Sequence, residues 1–221
     1  MNVLGLMQLV ESAPNAGGYP DCFQISNLVR QGYLRNADQV LQLLNVALHQ
    51  SIGPAEGVAA GAAFRVARHG VLDQLPKVSS VLSNHQLPED IRKASLQMGA
   101  HLWELSRRWE WAQSLHYEVD PMASEGGIHN AIAFGVLVSE ATAQQVRAIA
   151  MYLFRAARMI IKSAVQSIPL DESVGQHLLS SLSPMISELA QVYADRPIDQ
   201  VMALHPSLVL QVAMRDTIYP R

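Results

Sequence analysis

Residues 142–169 read TAQQVRAIAMYLFRAARMIIKSAVQSIP, and this stretch decides the fold. Its apolar side chains recur every three or four residues, which is the period of an amphipathic α-helix. Thr142 with Gln145 three residues later has the pattern of a capping box, and Pro169 ends the helix because proline lacks a backbone donor. The apolar stripe is wide and runs for roughly seven turns, so it predicts a central helix packed on more than one side. The stripe consists of Val146, Ile149, Ala150, Leu153, Phe154, Ala157, Ile160, Ile161, Ala164, Val165 and Ile168.

A second long helix is predicted from Pro88 to about His116. Proline is favoured in the first turn of a helix, and the acidic pair Glu89 and Asp90 suits the positive end of the helix dipole. An irregular loop is expected to follow at 120–127. Apolar residues in this helix repeat every seven positions, at Ile91, Met98, Leu105 and Ala112.

The rest of the chain alternates helical patterns with Gly, Pro and Asn punctuation. We find no period-2 run and no hairpin signal in it. The sequence therefore predicts one all-α domain over residues 1–221, a bundle of about nine or ten helices, with a further irregular loop at 13–20. The remaining expected helices cover 21–33, 37–51, 54–69, 72–84, 128–139, 172–190 and a short segment after Pro206.

Composition limits the classes of function. The 221 residues are 49% hydrophobic and only 16% charged, so we expect a surface poor in charge that meets a partner or a second copy of the chain. A net charge of -3 without a basic tract argues against nucleic acid. One cysteine, Cys22, suits a reducing compartment, and the sequence has no pattern of a signal peptide or membrane span. These features predict a soluble cytoplasmic protein.

The sequence shows no active site. It lacks the glycine-rich phosphate-binding motifs, the nucleophile elbow and any pair of histidines on one helix face. The eight histidines are isolated, so we interpret them as surface or capping residues. Cys22 has no definable histidine partner that would activate it. We therefore expect no enzymatic activity, no bound cofactor and no metal site within a single chain; a site built from single residues of two subunits stays open.

Two groups of side chains on the long helices leave alternatives open. Arg155, Arg158 and Lys162 form a row away from the apolar stripe, with Arg147 on the same face, and this row is either a site for an acidic partner or a solvated surface. Off-stripe tryptophans on the second helix are either interface anchors or part of a second core packing. These tryptophans are Trp103 and Trp111.

Several short segments, in their order and spacing, resemble the UreF family of urease accessory proteins. The resemblance runs from about Leu6 to Arg215. Each segment alone is weak evidence for the family, and the shared order of the segments makes the resemblance specific. The segments are Leu6-Met7-Gln8-Leu9, Pro14 with Gly17-Gly18-Tyr19, Gly32-Tyr33, Met98-Gly99, His129 with Ala133-Phe134-Gly135, the run from Ser163 to Leu170, Gly175-Gln176 with Leu178-Leu179, and Met214-Arg215.

The resemblance implies an all-α fold without enzymatic activity. It also implies a homodimer that binds the accessory protein UreH (also called UreD), recruits the nickel-carrying GTPase UreG, and serves nickel delivery to apo-urease. In this chain the nickel would be cargo of the complex. Carried over residue by residue, the resemblance predicts partner-docking roles for Pro14, Gly17, Gly18, Tyr19, Met214, Arg215 and Tyr219.

The chain also departs from the family pattern. Gln166 stands where the family often has a basic residue, and Asp171-Glu172 follow Pro169-Leu170 in place of Gly-Gln. Asp216-Thr217 replace a His-Glu pair, and the expected absence of a tail after Arg221 would weaken docking of UreH. Two alternatives therefore stay open: a divergent helical adaptor with other partners, and an all-α enzyme with a small-molecule pocket, similar to heme oxygenases or thiaminases.

Overall fold

A computed structural model of the chain describes residues 2–12, 23–85, 89–168 and 170–214. Every regular element within these ranges is helical, which confirms the all-α prediction. The α-helices are α1 (Val3–Glu11), α2 (Ile25–Arg30), α3 (Ala37–Ala47), α4 (Val58–Arg68), α5 (Leu75–His85), α6 (Glu89–Ser106), α7 (Gln113–Gly126), α8 (Asn130–Ala141), α9 (Gln145–Ser167), α10 (Glu172–Ala194) and α11 (Pro206–Ala213). A π-helical segment spans Leu48–Gly57, and single 3₁₀ turns span Leu72–Gln74, Glu110–Ala112 and Ile198–Gln200.

Helix α8 is the innermost element. All its residues except Glu140 are buried, as expected for a helix that is apolar on every side. Two glycines let neighbouring helices approach it closely. A Cβ on Gly135 would collide with the carbonyl oxygen of Ala60 in α4, and a Cβ on Gly99 of α6 would collide with the carbonyl oxygen of Ile128. The core of the molecule therefore lies where α4 and α6 meet α8.

Helix α9 confirms the prediction made from residues 142–169, apart from its start. It packs on α10 along most of its length and also contacts α4, α2 and α8. The helix begins at Gln145 after an extended Gln144, so the capping box at Thr142 is wrong. Thr142 instead ends α8 with an extended backbone, and its hydroxyl oxygen accepts a 3.3 Å hydrogen bond from the Gln144 amide.

The two helices predicted at 37–51 and 54–69 form one continuous rod. The π-helical segment Leu48–Gly57 joins α3 to α4, and Pro54 lies inside it. Contacts from far along the chain explain why no break occurs. The carbonyls of Gln50 and Pro54 accept hydrogen bonds of 2.7 and 3.3 Å from the amides of Leu204 and Met202, so the irregular carbonyls are satisfied.

The single helix predicted from Pro88 to His116 is wrong, and so is the loop at 120–127. Helix α6 ends at Ser106, and α7 continues through Pro121 to Gly126. The chain turns because side chains of the two helices bond across the junction. Asp120 accepts hydrogen bonds from the indole of Trp103 at 2.8 Å and from the guanidinium of Arg107 at 2.8 and 3.0 Å.

Most other helices match their predicted positions within a few residues; α10 extends four residues further, to Ala194. Helix α1 was not predicted. It begins where the side chain of Asn2 accepts a 2.9 Å hydrogen bond from the Gly5 amide, a local cap that the helical pattern alone did not reveal. In the described ranges, we find no helix whose length and apolar content would suffice to cross a bilayer.

Candidate functional site

Arg155 is not part of an exposed basic row. Its side chain is only 1% exposed, so both readings of the row are wrong for this residue. The guanidinium donates hydrogen bonds to the side-chain oxygen of Asn130 at 3.1 Å and to the carbonyl of Ser12 at 3.2 Å. The ring of Phe134 lies 5.8 Å away, within the range of a cation–π contact. Arg155 therefore joins α9 to α8 and to the end of α1.

Arg158 adds a second bond to the same end of α1. It donates to the carbonyl of Val10 at 3.3 Å and forms an ion pair with Glu11 at 2.7 Å. The C-terminal carbonyls of a helix carry partial negative charge, which favours guanidinium groups there. We call Arg155 and Arg158 the arginine clamp. The clamp fixes the point from which the chain continues into the Pro14 to Tyr19 element.

Most of the predicted partner-docking residues lie outside the described residues, and so does Cys22. Met214 is the exception. Its side chain is buried at the end of α11, and its amide donates to the carbonyl of Leu210 at 2.9 Å. Met214 is therefore a core residue at the C-terminal end of α11. Those outside the described residues are Pro14, Gly17, Gly18, Tyr19, Arg215 and Tyr219.

An open cleft of about 530 Å³ lies between α9 and α10. Lys162 and Gln166 are exposed at its edge, and Gly175 lies buried opposite them. Two of the motifs that carried the family resemblance, the run from Ser163 to Leu170 and the Gly175-Gln176 segment, thus meet at one place. We call it the α9–α10 cleft; it is lined by Arg158, Ile161, Lys162, Val165, Gln166, Leu170, Gly175, Gln176 and Leu179.

His129 is the N-cap residue of α8, but it is buried rather than at the surface, and its side chain makes no capping bond. Its Nε2 lies 2.8 Å from the Ser83 hydroxyl and its Nδ1 lies 3.1 Å from the Ser95 hydroxyl. Burial, and to a smaller extent the positive charge of Arg92, together lower the pKa of His129 to about 4. The imidazole is therefore neutral at pH 7, and it ties α5 and α6 to the start of α8.

Ser106, His116 and Asp120 form a line that superficially resembles a catalytic triad. The Ser106 hydroxyl lies 3.0 Å from Nε2 of His116, and Nδ1 of His116 lies 3.4 Å from Asp120. However, Ser106 is 0% exposed, and its hydroxyl donates to the Trp103 carbonyl at 2.7 Å. A nucleophile must reach its substrate. The line is therefore a structural bridge between α6 and α7.

Asp120 is the centre of that bridge. Although burial alone would raise the pKa of its carboxyl, hydrogen bonds from Arg107, Trp103 and His116 lower the pKa overall. The ring of Trp103 lies 4.5 Å from that of His116, and Trp103 is buried. Trp103 therefore belongs to a second core packing and is not an interface anchor, which decides between the two roles predicted for it.

Trp111 packs on the N-terminal helix. It stacks on Trp109 with 5.3 Å between ring centres, and its indole donates to the Gln8 side chain at 2.8 Å. The outer face of α1 carries apolar side chains in the solvent: Leu4 is 75% exposed and Met7 is 60% exposed. On α7, Tyr117 is 89% exposed. These side chains agree with the expected surface poor in charge.

The described residues contain no group of three or more His, Cys, Asp or Glu side chains arranged to hold a metal ion. Buried polar groups in this part of the chain bond to one another across helix junctions. Open clefts and exposed apolar side chains lie outside that core. These features define the class of protein as an all-α helical bundle whose buried polar side chains serve the fold.

The family model described as UreF matches residues 34–183, and the chain belongs to the UreF family. Among its relatives is the urease accessory protein UreF of Paenarthrobacter aurescens, 27% identical over 206 residues that cover 93% of this chain and 90% of the relative. The protein of the same name from Nostoc is 26% identical over 220 residues, covering 99% and 93%. That from Corynebacterium efficiens is 25% identical over 211 residues, covering 93% and 89%.

These relatives are named as accessory proteins of an enzyme, which agrees with the prediction that this chain is not itself an enzyme. The matched range 34–183 contains α8, α9 and every lining residue of the α9–α10 cleft. The predicted docking residues near both ends of the chain lie outside that range, although the relatives align across them. The family assignment therefore depends on the core and the cleft.

Proposed function

We propose that this chain is a scaffold for urease maturation in the cytoplasm. In this proposal two copies associate, bind UreH (UreD), and recruit and regulate the GTPase UreG, which brings nickel to apo-urease. The observation that carries the proposal is the membership of the UreF family. The chain itself contributes binding surfaces and no chemical step.

Two regions support a docking role. The arginine clamp holds the carbonyls of Val10 and Ser12, and so sets the starting point of the element that contains Gly17 and Gly18. The α9–α10 cleft offers exposed Lys162 beside apolar walls. A cation next to apolar surface suits a partner segment that carries both a carboxylate and an apolar side chain.

The second candidate is a divergent adaptor with other partners. It is favoured by the position of the departures from the family pattern. Gln166 lines the α9–α10 cleft, and Asp171 is exposed one residue beyond Leu170 in that lining. A neutral amide and a new carboxylate change the charge that a partner meets there. Partner choice is therefore the property most open to change in this chain.

The test is co-purification of the chain with UreH and UreG from the same source, with the mass measured by light scattering. We expect a complex with two copies of this chain and UreH that recruits UreG. Gly17→Val is expected to reduce binding of UreH without loss of helical content, because glycine permits backbone shapes that valine forbids. Circular dichroism checks the fold.

The variant Lys162→Ala tests the α9–α10 cleft separately from the element that contains Gly17. The variant Lys93→Ala is its matched control. Lys93 is an exposed lysine on α6 paired with Glu89 at 2.8 Å, away from the cleft. We expect Lys162→Ala to weaken recruitment of a partner and Lys93→Ala to leave it unchanged. A folded wild-type chain that binds neither UreH nor UreG would refute the scaffold proposal and favour the divergent adaptor.

A further inference from the structure

A second cleft lies where α4 ends and α5 begins. It has a volume of about 260 Å³. Three basic or imidazole side chains from two helices reach it: Arg65 and His69 from the end of α4, and Lys77 from α5. The amide of Gln74 also lines it, and no Asp or Glu is among its lining residues. Its walls are Ala62, Val66, Val71, Val78 and Ile198.

Charge in this pocket is only partly balanced by the protein. Arg65 donates to the carbonyl of Ala194 at 3.0 Å, which fixes the guanidinium. Burial lowers the pKa of Arg65 and the nearby charge of Asp195 raises it. Within the described ranges, the ion pairs closer than 4.0 Å include neither Arg65 nor Lys77. A half-buried cation whose neighbouring carboxylate lies beyond ion-pair distance gains from an anion placed beside it.

The helix dipole explains part of this arrangement. Basic residues are favoured in the last turn of a helix, and Arg65 and His69 are at the end of α4. The helix dipole does not explain Lys77, which comes from the next helix. It also does not explain the open volume that these three side chains line. A cationic side with apolar walls opposite is the arrangement expected of a pocket for a small anion.

We propose that the Arg65–His69–Lys77 pocket binds a small oxyanion, of the size of a carboxylate or a phosphate. Arg65 presents a planar set of donors suited to two oxygen atoms of such a group, and Lys77 supplies a point charge. The Gln74 amide adds a neutral donor. The site is independent of the docking regions described above, so its test does not depend on the scaffold function.

The experiment titrates the full-length chain with inorganic phosphate, sulfate and acetate at constant ionic strength. Binding is followed by calorimetry and by the NMR signal of the His69 imidazole, which His69→Gln identifies. We expect saturable binding with a millimolar dissociation constant. Stronger binding of phosphate and sulfate assigns the pocket to phosphate groups, and stronger binding of acetate assigns it to carboxylates.

Lys77→Ala is the main variant, because Lys77 is exposed and its loss leaves the core intact. We expect it to weaken binding about fivefold, the size of one solvent-exposed ion pair. Lys77→Arg should retain binding, and Lys93→Ala on α6 is the control that should not change it. A response that does not saturate with any of the three anions, or an equal loss in Lys93→Ala and Lys77→Ala, would overturn the proposal.

Discussion

The two clearest family-like segments of this chain lie on helix α8 and helix α9, and the two segments have opposite surroundings. In α8 and the residue before it, His129, Phe134 and Gly135 are all buried and hold neighbouring helices. In α9 and beyond, Lys162, Gln166 and Leu170 line an open cleft. Two of the departures from the family pattern, Gln166 and Asp171-Glu172, fall in or just after the second segment. The family pattern is thus retained where tight packing admits no other side chain, and it differs where the side chains face solvent or a partner.

The largest effect that would test this comparison is expected at Gly135. We expect Gly135→Ala to destabilise the protein by about 3 kcal/mol, because the added Cβ would collide with the Ala60 carbonyl in α4. Denaturant unfolding followed by circular dichroism measures the change. The matched control is Gly175→Ala in the α9–α10 cleft, where the added Cβ would lie 3.4 Å from Ile161 and Val165.

The control variant should stay within about 1 kcal/mol of the wild type, since alanine is also the better helix former. If both substitutions destabilise the protein equally, then the cleft is as tightly constrained as the core, and the comparison between α8 and α9 fails.

The next effect concerns pH. The pKa of His129 falls from 6.5 to about 4 on folding, so the neutral form is the one that the folded state favours. Its contribution is fully present above pH 6.5 and is lost as the pH falls towards 4. The loss should reach about 3 kcal/mol, since one unit of pKa corresponds to about 1.4 kcal/mol.

Unfolding free energies measured between pH 7 and pH 4 check this prediction, with His129→Gln as the comparison. Glutamine still bonds to a serine hydroxyl but does not titrate in this range. The variant should therefore lose less stability over the same pH interval than the wild type. Parallel curves for the two proteins would show that His129 is not the buried group that titrates.

The smallest effect concerns the arginine clamp, whose Arg155 joins α9 to α8. Arg155→Met should destabilise the protein by about 2 kcal/mol, because it leaves the buried side chain of Asn130 and the carbonyl of Ser12 with one partner fewer. Glu11→Gln removes only the exposed ion pair with Arg158, and it should change stability by at most about 0.5 kcal/mol. Thermal unfolding of both variants tests the difference, and equal shifts would mean that burial does not distinguish the two bonds.

The sequence predicted those parts of the fold that depend on local pattern. Apolar spacing alone located α8, α9 and α10, because each buries a stripe or a whole surface. It failed for the rod 37–68, where the residues that satisfy the π-helical carbonyls lie about 150 positions later at Met202 and Leu204. It also failed at Ser106, where the turn depends on bonds to Asp120.

The candidate site was predicted less completely, for the same physical reason. A charged residue off the apolar stripe of a helix is normally exposed. Arg155 is buried because its partners, Asn130 and the Ser12 carbonyl, come from elements 25 and 143 residues away. The resemblance did mark His129 and the residues around Gln166 as noteworthy, but it gave no sign that one lies in the core and the other at a cleft.

The bond between Gln50 and Leu204 has a consequence for how this chain reaches its native state. A loop of about 150 residues must close before that bond forms, and closing it costs chain entropy. Helix pairs such as α9 and α10 are adjacent in the chain and can associate early. We therefore expect the rod and the C-terminal segment to complete folding together and late, because the contacts between them are remote in sequence.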